Sequence, residues 1–143
     1  MAKTADVILV AVDFEDTSTK ALATAKSLAR RMGAEIVLIH VYSLPTYSYP
    51  GLAPALLPSL AAEIGAGAKR ALDQLAASAG GLRSVLREGD PSTEILREVD
   101  ATQPRLVVLG THGRHGLSRV LIGSVAEQVV RRSPVPVLTV RGE

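Results

Sequence analysis

The sequence predicts an α/β protein, a single-domain, open, five-stranded parallel sheet with helices on both faces. Three observations carry that expectation. Short, continuous apolar runs of strand length alternate with stretches whose apolar residues recur at helical spacing, the pattern of strands buried on both faces and joined by crossover helices. Hydrophobic residues make up 47% of the chain but aromatics only 3%, so the core has to be built from Val, Leu, Ile and Ala. A length of 143 residues without a single cysteine fits one domain that closes a core with no disulfide or thiolate-metal staple.

The elements follow in order. Val7 to Asp13, "VILVAVD", is a buried strand. Ala21, Leu22, Ala25, Leu28, Ala29 and Met32 mark a helix, with Gly33 at its C-terminal cap. Ile36 to Val41 is a second strand, and Tyr42 to Pro58, proline-rich and holding all three tyrosines, reads as a long loop. Leu60, Ile64, Ala68, Ala71, Leu72 and Leu75 mark a second helix, which Gly65 and Gly67 weaken by roughly 1 kcal/mol each relative to Ala. "RSVLRE" is a third, weaker strand. In "GDP", Asp90 is placed to cap a helix and Pro91 to occupy its first position. "RLVVLG" is a fourth strand, Ser124 to Arg132 a short helix, and "VPVLTV" a last strand.

Right-handed crossovers between such strands give a parallel sheet, and ligands of open parallel sheets bind at the carboxyl ends of the strands where the winding reverses. If three strands wind one way and two the other, the reversal lies between the first and the fourth. Asp13 and Gly110, far apart in sequence, then face one crevice. Composition narrows the ligand classes. A net charge of +2 with scattered basic residues gives no nucleic-acid footprint, and no apolar run reaches the ~20 residues of a membrane span. The opening "MAKTAD" runs directly into a strand with no leader-like apolar region, so the expected location is the cytoplasm.

The stretch "GTHGRHGLSRVLIGSV" concentrates glycine where the fourth strand ends. Gly110, Gly113 and Gly123 obey G-x-x-G-x9-G, and Ser124 opens a helix immediately after. A helix start presents free backbone N–H groups and the positive end of its dipole, so phosphate fits there, and glycines let the backbone come close. Arg114 and Arg119 supply countercharge. The spacing is neither a Walker A loop nor the dinucleotide G-x-G-x-x-G.

This pattern, with "VAEQVVRRSPVPVLTVR" after it, "VAVDFEDTS" at the first strand and "IVLIHVY" at the second, resembles the universal stress protein family over essentially the whole chain, 1–143. The resemblance implies an adenine-nucleotide α-hydrolase-like, Rossmann-like sheet, usually dimeric, of the subgroup that binds ATP, with Mg²⁺ a possible companion. Carried onto this chain, it implies that Asp13 lies on the ribose or adenine side, that the Val41 backbone meets adenine, that Gly110 lies by the ribose, and that Val12 and Leu109 are among the nucleotide-binding residues. It further implies that Gly113, Gly123, Ser124 and Val125 surround the phosphates, with Arg114 also counted among the nucleotide-binding residues. No metal ligand is assigned, since His112 and His115 lack nearby carboxylate or thiolate partners.

Each assignment has a structural counterpart. Ser124 with Glu127 spells a capping box, Asp13 suits a turn with Asp16 and Thr17, and the glycines shape a long turn. His40 suits a strand end with a hydrogen-bond partner. The functional expectation is an ATP-binding stress-response module with at most slow hydrolysis; the alternatives are a nucleotide-independent interaction protein and a slow ATPase or self-phosphorylating enzyme. The last strand leaves an apolar sheet edge, which predicts a homodimer paired through residues 136–141.

Overall fold

A computed structural model describes residues 5–44, 57–111 and 122–142. Among them strands and helices alternate: β1 (Val7–Ala11), α1 (Asp16–Met32), β2 (Glu35–Tyr42), α2 (Leu57–Ser78), β3 (Arg83–Glu88), α3 (Pro91–Thr102), β4 (Leu106–Gly110), α4 (Ser124–Arg132) and β5 (Val137–Val140). The strands pair in parallel in the order β3-β2-β1-β4-β5. The chain winds outward from β1 to β3, then returns to the other side of β1, so the reversal falls between β1 and β4 as the sequence pattern predicts.

The apolar runs are continuous because successive residues enter different cores. Ile8 and Val10 of β1, Ile36 and Leu38 of β2, and Val108 of β4 join Leu22, Ala25, Leu72 and Ala76 of α1 and α2 on one face. Leu9, Val37, Ile39, Val107 and Leu109 join Ile95, Val99, Ala126 and Val129 of α3 and α4 on the other. Each fully buried Val, Leu or Ile contributes about 1.5–3 kcal/mol.

Helix ends follow their local chemistry. Gly33 caps α1 with φ 66°, its N–H donating to the Ala29 carbonyl. Asp90 caps α3, its carboxylate accepting from the Thr93 N–H at 3.0 Å, with Pro91 in the first turn. Several boundaries differ from the sequence reading. β1 stops at Ala11 instead of Asp13; the Val12 N–H still donates to the Ile39 carbonyl at 2.9 Å, but Phe14, at φ 66°, turns the chain away. β5 starts at Val137 because Pro136 has no N–H to give a ladder, although its carbonyl accepts from the Val107 N–H at 3.0 Å. The expected loop over 42–58 is shorter at both ends: Tyr42 belongs to β2, and Leu57 and Pro58 open α2. The remaining tyrosines, at 47 and 49, lie outside the described residues.

Two glycines show opposite logic. α1 leans so closely over the end of β4 that a Cβ on Gly110 would lie 2.8 Å from the Thr17 Cβ and Oγ1 and 3.1 Å from the Thr17 carbonyl carbon. Gly65 in α2 makes room for Tyr42, whose phenolic oxygen would lie 3.0 Å from an added Cβ, whereas a Cβ on Gly67 would meet only the far end of Arg70 at 3.8 Å. Gly110→Ala is therefore expected to destabilise the chain by about 1–3 kcal/mol through overpacking. Gly67→Ala should stabilise it by about 0.5–1 kcal/mol through helix propensity. Urea unfolding of both variants checks the pair; similar midpoints would contradict the close approach of α1.

Candidate functional site

The carboxyl ends of β1, β2 and β4 and the amino ends of α1, α3 and α4 enclose a cleft of about 260 Å³. Val12, Asp13, Val41, Leu109, Gly110, Gly123, Ser124 and Val125 all line it. The topology thus brings together residues from both ends of the chain that sequence reading had placed at one site. Gly113, Arg114, Arg119 and the two loop histidines lie outside the described residues.

The cleft is built from the turn after β1 upward. The Asp13 Oδ1 accepts the Glu15 N–H at 2.9 Å, so the turn it makes is with Glu15 instead of Asp16 and Thr17. His40, one strand over, donates from Nδ1 to the Val12 carbonyl at 2.7 Å, the strand-end partner expected of it; a carbonyl only accepts, so Nδ1 carries the proton. The Phe14 ring lies 4.5 Å from the His40 ring, which steadies a non-glycine residue in a left-handed conformation costing about 1–3 kcal/mol. Together these contacts fix the height at which Asp13 meets the cleft.

Opposite the turn, α4 begins. Gly123 is its N-cap and Ser124 its first helical residue, so Ser124 does not form the capping box that its spacing with Glu127 suggested. Glu127 instead pairs with Arg131 at 3.0 Å, one turn on. The first intrahelical bond runs from the Glu127 N–H to the Gly123 carbonyl at 2.9 Å, so the N–H groups of Ser124, Val125 and Ala126 precede the helical ladder. The Gly123 N–H donates to the Thr111 carbonyl, joining the two ends of the glycine-rich segment.

Sequence reading missed the walls that α1 and α3 contribute. Thr17 and Ser18 enter from α1, and Pro91 and Ile95 from α3. The Ser18 hydroxyl already donates to the Glu15 carbonyl at 3.0 Å. The signal available was topological: each helix of a parallel sheet starts at the strands' carboxyl ends, so "GDP" at 89–91 had to open beside the cleft. A buried carboxylate fastens this wall, as Glu98 of α3 accepts from Arg87 of the outer strand β3. Among the described lining residues Asp13 is the one charged side chain; the rest is apolar surface, hydroxyls and backbone.

An α/β protein with an apolar cleft at its winding reversal, ringed by three helix amino ends, is suited to a ligand that joins a flat or apolar body to an anionic group. The chain belongs to the universal stress protein family, whose sequence profile matches residues 4–141. Among curated relatives, universal stress protein MJ0531 of Methanocaldococcus jannaschii is 32% identical over 137 residues, covering 94% of this chain and 81% of its own. Among solved structures, the universal stress protein UspA from Lactobacillus plantarum superposes with a TM-score of 0.78 at 29% identity, covering 98% of this chain and all of that one. A universal stress protein in complex with cAMP shares the fold at a TM-score of 0.61 and 24% identity, covering 96% of this chain and 98% of that one.

The α3 wall yields a pH test. The Thr93 N–H holds the Asp90 carboxyl below its ordinary range, aided by the Thr93 and Ser92 hydroxyls and the charge of Arg132, against a desolvation that acts the other way. A depressed folded-state pKa contributes stability that is present above the unfolded value of about 3.9 and lost as pH falls through the folded one. Asp90→Ala should cost about 1 kcal/mol at neutral pH, and its difference from the unaltered chain should shrink in acid. Denaturant midpoints across the acidic range measure this; a difference independent of pH would contradict it.

Proposed function

We propose that this universal stress protein is a cytoplasmic module that binds ATP or a related adenine nucleotide in the switch-point cleft, with at most slow hydrolysis. The observation that carries the reading is convergence: an apolar slot, a carboxylate at a strand end and the leading N–H groups of α4 share one cleft. The slot between Val12, Val41, Leu109 and the α3 wall suits a purine. Asp13 accepts ribose hydroxyl protons with the carboxylate oxygen that the Glu15 N–H leaves over, beside Gly110. Gly123, Ser124 and Val125 receive phosphate, joined by Gly113 and Arg114 of the glycine-rich segment. The relative with cAMP supports only the point that this fold accommodates an adenine nucleotide.

Binding is favoured over turnover because phosphoryl transfer needs a positioned base or water-orienting group beside the phosphates, and Asp13 stands at the ribose end. The competing reading, a nucleotide-independent interaction protein, draws on two observations. Gly110 has a packing role under Thr17, and Asp13 a turn role with Glu15, whether or not a ligand is present. The edge position of β5 also supports a homodimer paired through residues 136–141; sedimentation at micromolar concentration should give twice the chain mass, and a monomer would remove that part of the proposal.

Calorimetry with ATP, with and without Mg²⁺, and with adenosine separates the two readings. Gly123→Val should weaken ATP far more than adenosine, because it obstructs only the phosphate end. Asp13→Ala should weaken both alike, by the about 1.5–3 kcal/mol of a charge-assisted hydrogen bond. An unaltered chain that binds neither ligand would establish the nucleotide-independent reading.

A further inference from the structure

At the other end of the sheet, where the strands begin, lies a larger open groove of about 710 Å³. One wall is Ala23, Lys26, Ala29 and Arg30 of α1, the floor is Ala34 and Ile36, and the far wall is Gly81, Leu82 and Arg83. Small residues create it: Gly81 sits at φ 76°, and a Cβ there would touch nothing within 4 Å. Lys26, Arg30 and Arg83 are exposed and set three positive charges against one carboxylate, Glu35.

Their placement is not explained by the fold alone. Lys26, Arg30 and Arg83 form no ion pair among the described residues, as is also true of Arg31, Arg70, Arg105 and Arg132; what sets the three apart is that they border one groove. Arg30, in the last turn of α1, offsets the negative end of the helix dipole. That reason does not extend to Lys26, a turn earlier, or to Arg83, on a strand. Lys26 and Arg30 are moreover like charges at i,i+4, an arrangement that disfavours the helix. Three exposed cations against one carboxylate, bordering an apolar floor, form a surface complementary to a chain carrying both carboxylates and aliphatic groups.

We propose that this groove docks an acidic segment of a partner protein, its apolar side chain on Ala34, Ile36 and Leu82 and its carboxylates among Lys26, Arg30 and Arg83. The groove is open to solvent along its length, so it suits an extended segment making several weak contacts better than an enclosed small molecule. The docking surface and the switch-point cleft occupy opposite ends of the strands, so both are open at once.

Fluorescence anisotropy of the full chain with a labelled peptide alternating Glu and Leu tests this, beside a Lys-Leu counterpart and an oligothymidylate. The Glu-Leu peptide should bind, more weakly as salt rises, and the other two should not. Lys26→Glu with Arg83→Glu should weaken it about tenfold or more by replacing attraction with repulsion. Ala23→Trp, which fills the groove without altering charge, should weaken it as well, separating a shaped groove from a diffuse positive field. Amide shifts of the unaltered chain on adding peptide should cluster at 23–36 and 81–83, a readout independent of any variant. No binding of the Glu-Leu peptide, equal binding of oligothymidylate, full retention by Ala23→Trp, or shifts centred elsewhere would overturn the proposal.

Discussion

The seating of Thr17 on Gly110 sets the architecture of the carboxyl end of the sheet. Without a side chain at Gly110, the first turn of α1 drops onto the end of β4, and the Thr17 methyl also comes to 3.0 Å from where a Cβ on Gly142 would lie, just past β5. One threonine thus rests on the ends of two neighbouring strands. The amino end of α1 is thereby held over the winding reversal instead of beside it. The turn from Val12 to Glu15 has little room left. It is closed by the Asp13 carboxylate, the left-handed Phe14 and the bond from His40 to the Val12 carbonyl. A cost of about 1–3 kcal/mol at Phe14 is sustained because those contacts leave the turn no relaxed alternative.

The cleft inherits its chemistry from this packing. Bringing the amino ends of α1, α3 and α4 together around an apolar slot concentrates the positive ends of three helix dipoles, although the described lining holds no cation. An anion entering there would meet backbone N–H groups that are fixed in place and do not reorganise when charge arrives. Lys26, Arg30 and Arg83 instead border the second groove, at the strands' amino ends. The two ends of the sheet thus differ in their lining: leading helix N–H groups at one, exposed side-chain charges at the other.

Much of this was legible in the sequence. Alternating apolar runs gave the strand order once a reversal was assumed, and "GDP" and Gly33 marked helix ends that the structure reproduces to the residue. The residues assigned to one crevice from Asp13 to Val125 do line one cleft, apart from Gly113 and Arg114, which lie outside the described residues. What escaped reading depends on three-dimensional approach. Spacing alone made Ser124 a cap, but a one-residue shift gives that place to Gly123, since N-cap and first helical position look alike when a glycine precedes a serine. The meaning of Gly110 and Gly65 was hidden for a similar reason: the neighbours that require them, Thr17 and Tyr42, are distant in sequence. Pro91 and Ile95 went unassigned because an apolar helix face reads as core whether it meets a sheet or a ligand.

The central claim is that the backbone at the reversal of the sheet receives the phosphates of an adenine nucleotide whose base enters the apolar slot. Titrating ATP into the isotopically labelled chain and following its amide resonances tests this most directly. The account predicts the largest shifts at Ser124, Val125 and Ala126, with smaller ones at Asp13, Val41 and Gly110, and adenosine reproducing only the second group. Shifts confined to the amino ends of the strands around Lys26 and Arg83, or none at Ser124 to Ala126 at saturating ATP, would contradict it.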